Sequence, residues 1–265
     1  MSRMQPLSLW PTQERSKVRG VFADIDDTLT TDGRMEARVF AAMERLRAQG
    51  LCVIPITGRP AGWCDMIART WPVDGVVGEN GAFYFRYDTA ARRMLRVYTD
   101  EADVRQAYRE RLAAIRDEVL TTIPVVAVSA DQSYRETDLA IDFNEDVSGV
   151  PQADIDAIVA VFERHGATAK VSSIHVNGWF GSYDKLTMTK RLMDEVYGVD
   201  LENEKQNYIF VGDSPNDAPM FGFFPHAVGV ANFVEFQDRC AALPAWITPS
   251  PGGVGFVELA DLIVS

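Results

Sequence analysis

From Val18 to Ala23 the chain is short, apolar and rich in β-formers, and it runs into the acidic cluster Asp24-Ile25-Asp26-Asp27. This predicts a buried strand with carboxylates at its C-terminal end. Between Met35 and Gln49 apolar residues recur at helical spacing (Val39, Ala42, Met43, Leu46), and Gly50 supplies a stop. A second apolar run, Leu51 to Ile56, is closed by Thr57-Gly58-Arg59, and Pro60 is suited to open the next helix. Strand, helix, strand at this spacing is a βαβ unit, whose right-handed crossover implies a parallel sheet with helices on its faces.

The pattern changes after Gly78-Glu79-Asn80-Gly81. Paired aromatic and β-branched runs, Phe83 to Tyr87 and Met94 to Tyr98, predict an antiparallel hairpin. A charged amphipathic helix from Glu101 to Leu120 follows, then strand-like runs at Val125 to Ser129 and Leu139 to Phe143, a helix from Pro151 to His165, and strand-like residues through Val176. The βαβ grammar resumes with a helix over Lys185 to Tyr197, a strand over Tyr208 to Val211 and a helix starting near Asn216, with further short strands at Val228 to Val230 and Trp246 to Thr248. The expected fold class is α/β: a Rossmann-like parallel-sheet core from residues 1–82 and 183–265, carrying an inserted α+β cap at 83–182.

Composition narrows the function classes. With 265 residues, 47% of them hydrophobic, the chain can bury a large core. A formal net charge of -12 disfavours nucleic acid or anionic lipid as partners, since both call for a basic surface. No apolar run approaches the roughly 18 residues of a membrane span, and the first ten residues lack a basic region followed by an apolar one, so a cytoplasmic location is expected. Cys52, Cys64 and Cys240 are odd in number and scattered, which suits a reduced compartment and suggests neither disulfides nor a zinc site.

The chemistry concentrates at predicted strand ends. Asp24 and Asp26 follow the first strand, and Gly212-Asp213-Ser214-Pro215-Asn216-Asp217 follows a late one. Ligands of doubly wound sheets bind beyond the carboxyl ends of strands, so both loops can border one crevice. One acidic loop alone serves equally well as a turn or helix cap. Two together repel, and a hard cation such as Mg2+ relieves the repulsion through oxygen ligands. Thr57-Gly58 adds a hydroxyl and close backbone approach for phosphate oxygens, and Lys185 a cation.

In this order, Asp24-Ile25-Asp26-Asp27-Thr28-Leu29, Thr57-Gly58-Arg59, Lys185 and Gly212 to Asp217 resemble the four motifs of haloacid dehalogenase-superfamily phosphatases. The large insertion between the second and third motifs resembles the cap of the sugar-phosphatase branch, which includes Cof-type, sucrose-phosphate and mannosylphosphoglycerate phosphatases and the eukaryotic phosphomannomutases. The resemblance implies Asp24 as nucleophile and Asp26 as the acid and base that serves leaving group and water. It implies Mg2+ on the Asp24 side chain, the Asp26 carbonyl and the Asp213 side chain, with Thr57, Gly58, Lys185 and Asn216 holding the phosphoryl oxygens and Asp217 orienting Lys185 or a metal-bound water. The family commonly has Gly where this chain has Asp27 and Leu186, and Lys190 is a second candidate for the third motif.

Specificity is expected from the insertion, with Arg59, His175 and Asn177 as candidate substrate contacts; the alternation His175, Asn177, Trp179 is also that of one strand face. The implied reaction is hydrolysis of a small phosphorylated metabolite, a sugar phosphate being favoured, through an aspartyl-phosphate. Two alternatives are a phosphotransferase of the phosphomannomutase kind and a non-catalytic metabolite-binding module.

Overall fold

The structure is a computed structural model that describes residues 4–265. Among the described residues, thirteen strands occur in chain order: β1 (Gln5–Pro6), β2 (Gly20–Ala23), β3 (Cys52–Pro55), β4 (Val76–Gly78), β5 (Phe83–Asp88), β6 (Arg93–Tyr98), β7 (Ala127–Val128), β8 (Asp138–Asp142), β9 (Thr168–Val171), β10 (His175–Trp179), β11 (Tyr208–Gly212), β12 (Val228–Gly229) and β13 (Trp246–Ile247). The main sheet is entirely parallel, in the order β1-β13-β12-β11-β2-β3. Its central strands are buried on both faces, and successive residues part to opposite sides. Val21, Ala23, Val53 and Val211 join the apolar cluster beneath helices Ala37–Ala48, Ala61–Thr70 and Gly252–Val264. Phe22, Ile54 and Phe210 join the cluster beneath helices Lys185–Tyr197 and Ala218–Phe223. This is the covering on both faces that parallel strands require.

A second, antiparallel sheet, β4-β5-β6, continues the first through a parallel bridge between Ile56 and Val77. Phe83 and Phe85 of this hairpin pack with Val21 and Val53, and Tyr84 with Phe22 and Ile54. By packing, then, the hairpin expected to open the insertion is part of the catalytic layer. A separate apolar cluster begins at Leu112 and ends at Phe180, formed by helices Ala102–Thr122 and Gln152–Arg164 against the antiparallel sheet β7-β8-β10-β9. The connections to it lie side by side: a Cβ on Gly181 would lie 3.1 Å from Asp100 Oδ2.

Alternation also organises the inserted sheet. Leu139, Ile141 and Val176 point into its own apolar cluster. Asp138 and Asp142 on β8, and His175 and Asn177 on β10, share the other face, which is buried against the carboxyl ends of the parallel strands. No helix among the described residues is long and apolar enough to cross a membrane.

Candidate active site

The site is assembled from three strand ends and one helix start. Asp24 follows β2 and is anchored by its N–H to the Val211 carbonyl at 2.9 Å. In the loop beyond, the N–H groups of Thr28, Leu29 and Thr30 converge on the Ile25 carbonyl, and Asp27 takes a φ of 56°. That left-handed conformation is the province of Gly, with Asp and Asn the side chains that best tolerate it, which suits Asp at position 27. After β11, Asp217 turns back on its own loop, its Oδ2 accepting from the N–H groups of Asp213 (3.1 Å) and Ser214 (3.3 Å). A Cβ at Gly212 would collide with that carboxylate, so the loop depends on glycine there. Lys185 opens its helix behind Asp184, whose side chain caps the Thr187 N–H at 2.7 Å.

These elements bring Lys185 Nζ to 2.7 Å from both Asp24 Oδ1 and Asp217 Oδ1. Asp213 completes the group: one carboxylate oxygen from each of Asp24, Asp213 and Asp217 lies within 4.8 Å of the others, all three residues buried. Burial pushes the Asp24 carboxyl up to about 8, against the pull of Lys185 and with added repulsion from Asp217. Asp213 is also held well above the usual carboxylate range, by burial first and then by Asp24 and Asp217. Burial disfavours the Lys185 charge, but Asp217 and Asp24 outweigh it and raise its pKa. One ammonium thus faces three clustered carboxylates. An all-oxygen set with excess negative charge fits a hard divalent cation such as Mg2+. Asp24 and Asp213 are its natural holders, because both Asp217 oxygens are already engaged.

Asp26 belongs to a second network. Its carboxylate receives Arg59 Nε at 2.9 and 3.0 Å and an Arg59 terminal nitrogen at 2.7 Å, a bidentate pairing. Arg59 is buried and also donates across to the insertion, to Glu145 at 2.7 Å and Asp131 at 3.3 Å. His175 Nε2 stands 2.9 Å from the other Glu145 oxygen; the His175 contact and Arg59 hold the Glu145 carboxyl down at about 2, against partial burial. Arg135 answers from the insertion, donating to Asp131 (2.9 Å), Asp138 (3.1 Å) and the Gly58 carbonyl (2.8 Å). Glu79, fully buried, accepts from the N–H groups of Ala61 (2.9 Å), Glu136 (2.9 Å) and Thr137 (2.6 Å) and from the Thr137 hydroxyl. Burial and the Asp138 charge push Glu79 up to about 7, with these donors opposing.

Asp24, Asp26, Gly58, Asn216, His175 and Asn177 line a common inner cavity of about 10 Å³ between core and insertion. Asn177 faces it while donating to Asp138 at 3.0 Å. Asp213 borders the adjoining space instead, with Asn232, and Thr57 is fully buried, its hydroxyl accepting from the Arg59 N–H at 3.0 Å. Lys190, the second candidate for the third motif, is at the surface with Glu202. Sequence reading did not single out Glu79, Asp131, Arg135, Asp138 or Glu145 as site residues. Asp131, Arg135 and Asp138 pair with one another at short spacing, as surface ion pairs also do, while the contacts that tie this group and Glu145 to Arg59 and Gly58 span dozens of positions, so no local spacing marks them as site residues.

A parallel sheet with carboxylates at its strand ends, a buried lysine among them and an α+β unit over the crevice is the arrangement that the haloacid dehalogenase resemblance implies. Residues 21–148 match the family model for haloacid dehalogenase-like hydrolases. The matched span holds Asp24, Asp26 and Thr57; the fold brings Lys185 and Asp213 to them. Among curated proteins, a phosphoglycolate phosphatase of Methanosarcina acetivorans is 24% identical over 257 residues, covering 94% of this chain and 98% of that one. Two solved structures share the fold. The C-terminal domain of C. albicans trehalose-6-phosphate phosphatase has a TM-score of 0.70 at 13% identity, over 96% of this chain and 94% of that one. The Synechocystis sucrose-phosphatase, solved with sucrose and phosphate, has a TM-score of 0.64 at 14% identity, over 92% and 97%.

Proposed function

We propose that the chain is a magnesium-dependent phosphomonoester hydrolase, acting on a small phosphorylated metabolite of the sugar-phosphate kind through an aspartyl-phosphate on Asp24. One observation carries the reading: a buried lysine bridges Asp24 and Asp217 at 2.7 Å beside Asp213, at the carboxyl ends of parallel strands. The phosphatases of sugar phosphates and phosphoglycolate to which the chain is similar support it.

In this mechanism an Asp24 carboxylate oxygen attacks phosphorus and the bond to the substrate oxygen breaks, while Asp26 gives that oxygen its proton. Asp26, now a carboxylate, takes a proton from water, which attacks phosphorus and breaks the bond to Asp24. Phosphate leaves and both aspartates return to their starting forms. Arg59 fixes the Asp26 carboxylate from two sides, so the proton is handed over in one orientation. Lys185 and Asn216 offset charge on the phosphoryl oxygens, and Asp217 holds Lys185 in place. Asp24 and Asp213 would hold Mg2+, whose chemistry there would be to supply positive charge at the phosphoryl group.

The test is phosphate release from an aryl phosphate and a panel of sugar phosphates. Activity is expected with Mg2+ and not in excess chelator, and Asp24→Asn is expected to lose at least about a thousandfold in kcat with its circular dichroism unchanged. Retained turnover in that variant would overturn the assignment of the nucleophile.

A further inference from the structure

Moving outward from Asp24, the crevice widens from the inner cavity into a space of about 320 Å³ lined by Asp26, Asp27, Asp32, Glu145 and Arg59. Beside it, bordering Asp213, lies a space of about 390 Å³, which shares Asp27 and Asp32 and adds Glu235. The first is the size of a small-metabolite site. Its walls carry four carboxylates against a single guanidinium, and Arg59 is already committed to Asp26 and Glu145 at 2.7 Å each. Arg135, the other arginine at the inner cavity, is held by Asp131 and Asp138. Among the described residues, no lysine or other arginine lines either outer space.

We propose that this acidic vestibule is the leaving-group site, and that it selects an uncharged, hydroxyl-rich alcohol and rejects one bearing a carboxylate, with Asp32 and Glu145 as the specificity-determining residues. The inference rests on reading Asp24 and its neighbours as a phosphatase site. The physical ground is asymmetric. Sugar or polyol hydroxyls donate hydrogen bonds to Asp27 and Asp32, which form no ion pair among the described residues, whereas a carboxylate in the same place finds no uncommitted cation and meets like charge. An ammonium-bearing alcohol meets complementary charge. The discrimination falls on the leaving group, since the phosphoryl end is common to every substrate.

The experiment uses pairs that differ only in charge. The kcat/KM of the full chain with Mg2+ is measured for sorbitol 6-phosphate against 6-phosphogluconate, and for glucosamine 6-phosphate against glucose 6-phosphate, with an aryl phosphate as control. Sorbitol 6-phosphate is expected to exceed 6-phosphogluconate at least about tenfold, a difference of roughly 1.4 kcal/mol, and the aminated sugar to match or exceed its neutral partner. Asp32→Asn removes charge while suiting the Asp32 φ of 50°, and is expected to narrow the first ratio several-fold; Glu145→Gln acts in the same direction. High salt should also narrow it. Equal or faster turnover of 6-phosphogluconate, or a ratio indifferent to Asp32→Asn, would overturn the proposal while aryl phosphate hydrolysis leaves the phosphatase reading standing. Absence of aryl phosphate hydrolysis would overturn both.

Discussion

Replacing Asp213 by Asn is expected to make the metal-free protein more stable while removing its activity. The three carboxylate oxygens of Asp24, Asp213 and Asp217 lie within 4.8 Å of one another. At that separation and an effective dielectric constant of about 20, each like-charged pair costs about 3.5 kcal/mol, and Asp213 takes part in two such pairs. Lys185 and partial protonation offset most of this, leaving an expected gain of about 1–3 kcal/mol, or roughly 3–10 °C in Tm for a chain of this size. The pH dependence gives the reasoning its sharper edge. Because burial and neighbouring charge raise the Asp213 pKa, and raise Asp24 to about 8, the folded metal-free chain holds protons that the unfolded chain releases. That contribution is complete below the ordinary carboxylate pKa of about 4 and drains away as pH rises toward about 8. The advantage of Asp213→Asn should therefore be small at pH ~5 and larger at pH ~8. Thermal unfolding of both proteins in chelator at the two pH values reads this directly, and Mg2+ should then raise the Tm of the native protein far more than that of the variant. A variant less stable than the native protein at the higher pH, or one raised equally by Mg2+, would refute the argument.

Three further outcomes are expected. Lys185→Met should cut kcat at least about a hundredfold, while Lys190→Met, at the exposed pair with Glu202, should change it less than about twofold; phosphate release on one substrate compares them. Glu79→Ala strands three backbone N–H groups at about 1–3 kcal/mol each, partly offset by removing a buried carboxyl, so urea unfolding should show a loss of about 2–4 kcal/mol. Gly81 has a φ of 106°, and a Cβ there would run into the Asp184 carbonyl beside Lys185. Gly81→Ala should therefore lower both Tm, by at least about 2 kcal/mol equivalent, and kcat.

The parallel core was legible because its strands bury both faces and end in chemistry. Asp24, Thr57 and Asp213 each follow an apolar run, and a strand end is where α/β ligands gather. The helix Gly252–Val264 escaped notice for a physical reason. Its first turn is glycine-rich, which reads as loop, yet those glycines let it approach closely: a Cβ at Gly253 would press on Val39 and the Leu29 carbonyl. Strand β1, two residues long, is too short to show a period. The hairpin was found but its allegiance was not, because alternation says that β5 has two faces and not which neighbours cover them. The Arg59, Glu79 and Arg135 networks were hidden by distance along the chain. Arg59 meets Asp26 across 33 positions and Glu145 across 86, and only the folded crossing of core and insertion joins them.

The side-by-side entry and exit of the insertion, at Asp100 and Gly181, bear on how such a chain diversifies. To the catalytic layer, everything between those points is one long loop whose ends already touch, so lengthening, shortening or exchanging it adds little closure entropy to folding. The hairpin β5 and β6 stays behind in any such exchange, since its aromatic residues are part of the retained interior. The boundary that an engineer can cut therefore lies after Tyr98, and a short turn joining Asp100 to Gly181 would give the minimal form of this architecture: the parallel sheet, its helices and the hairpin alone.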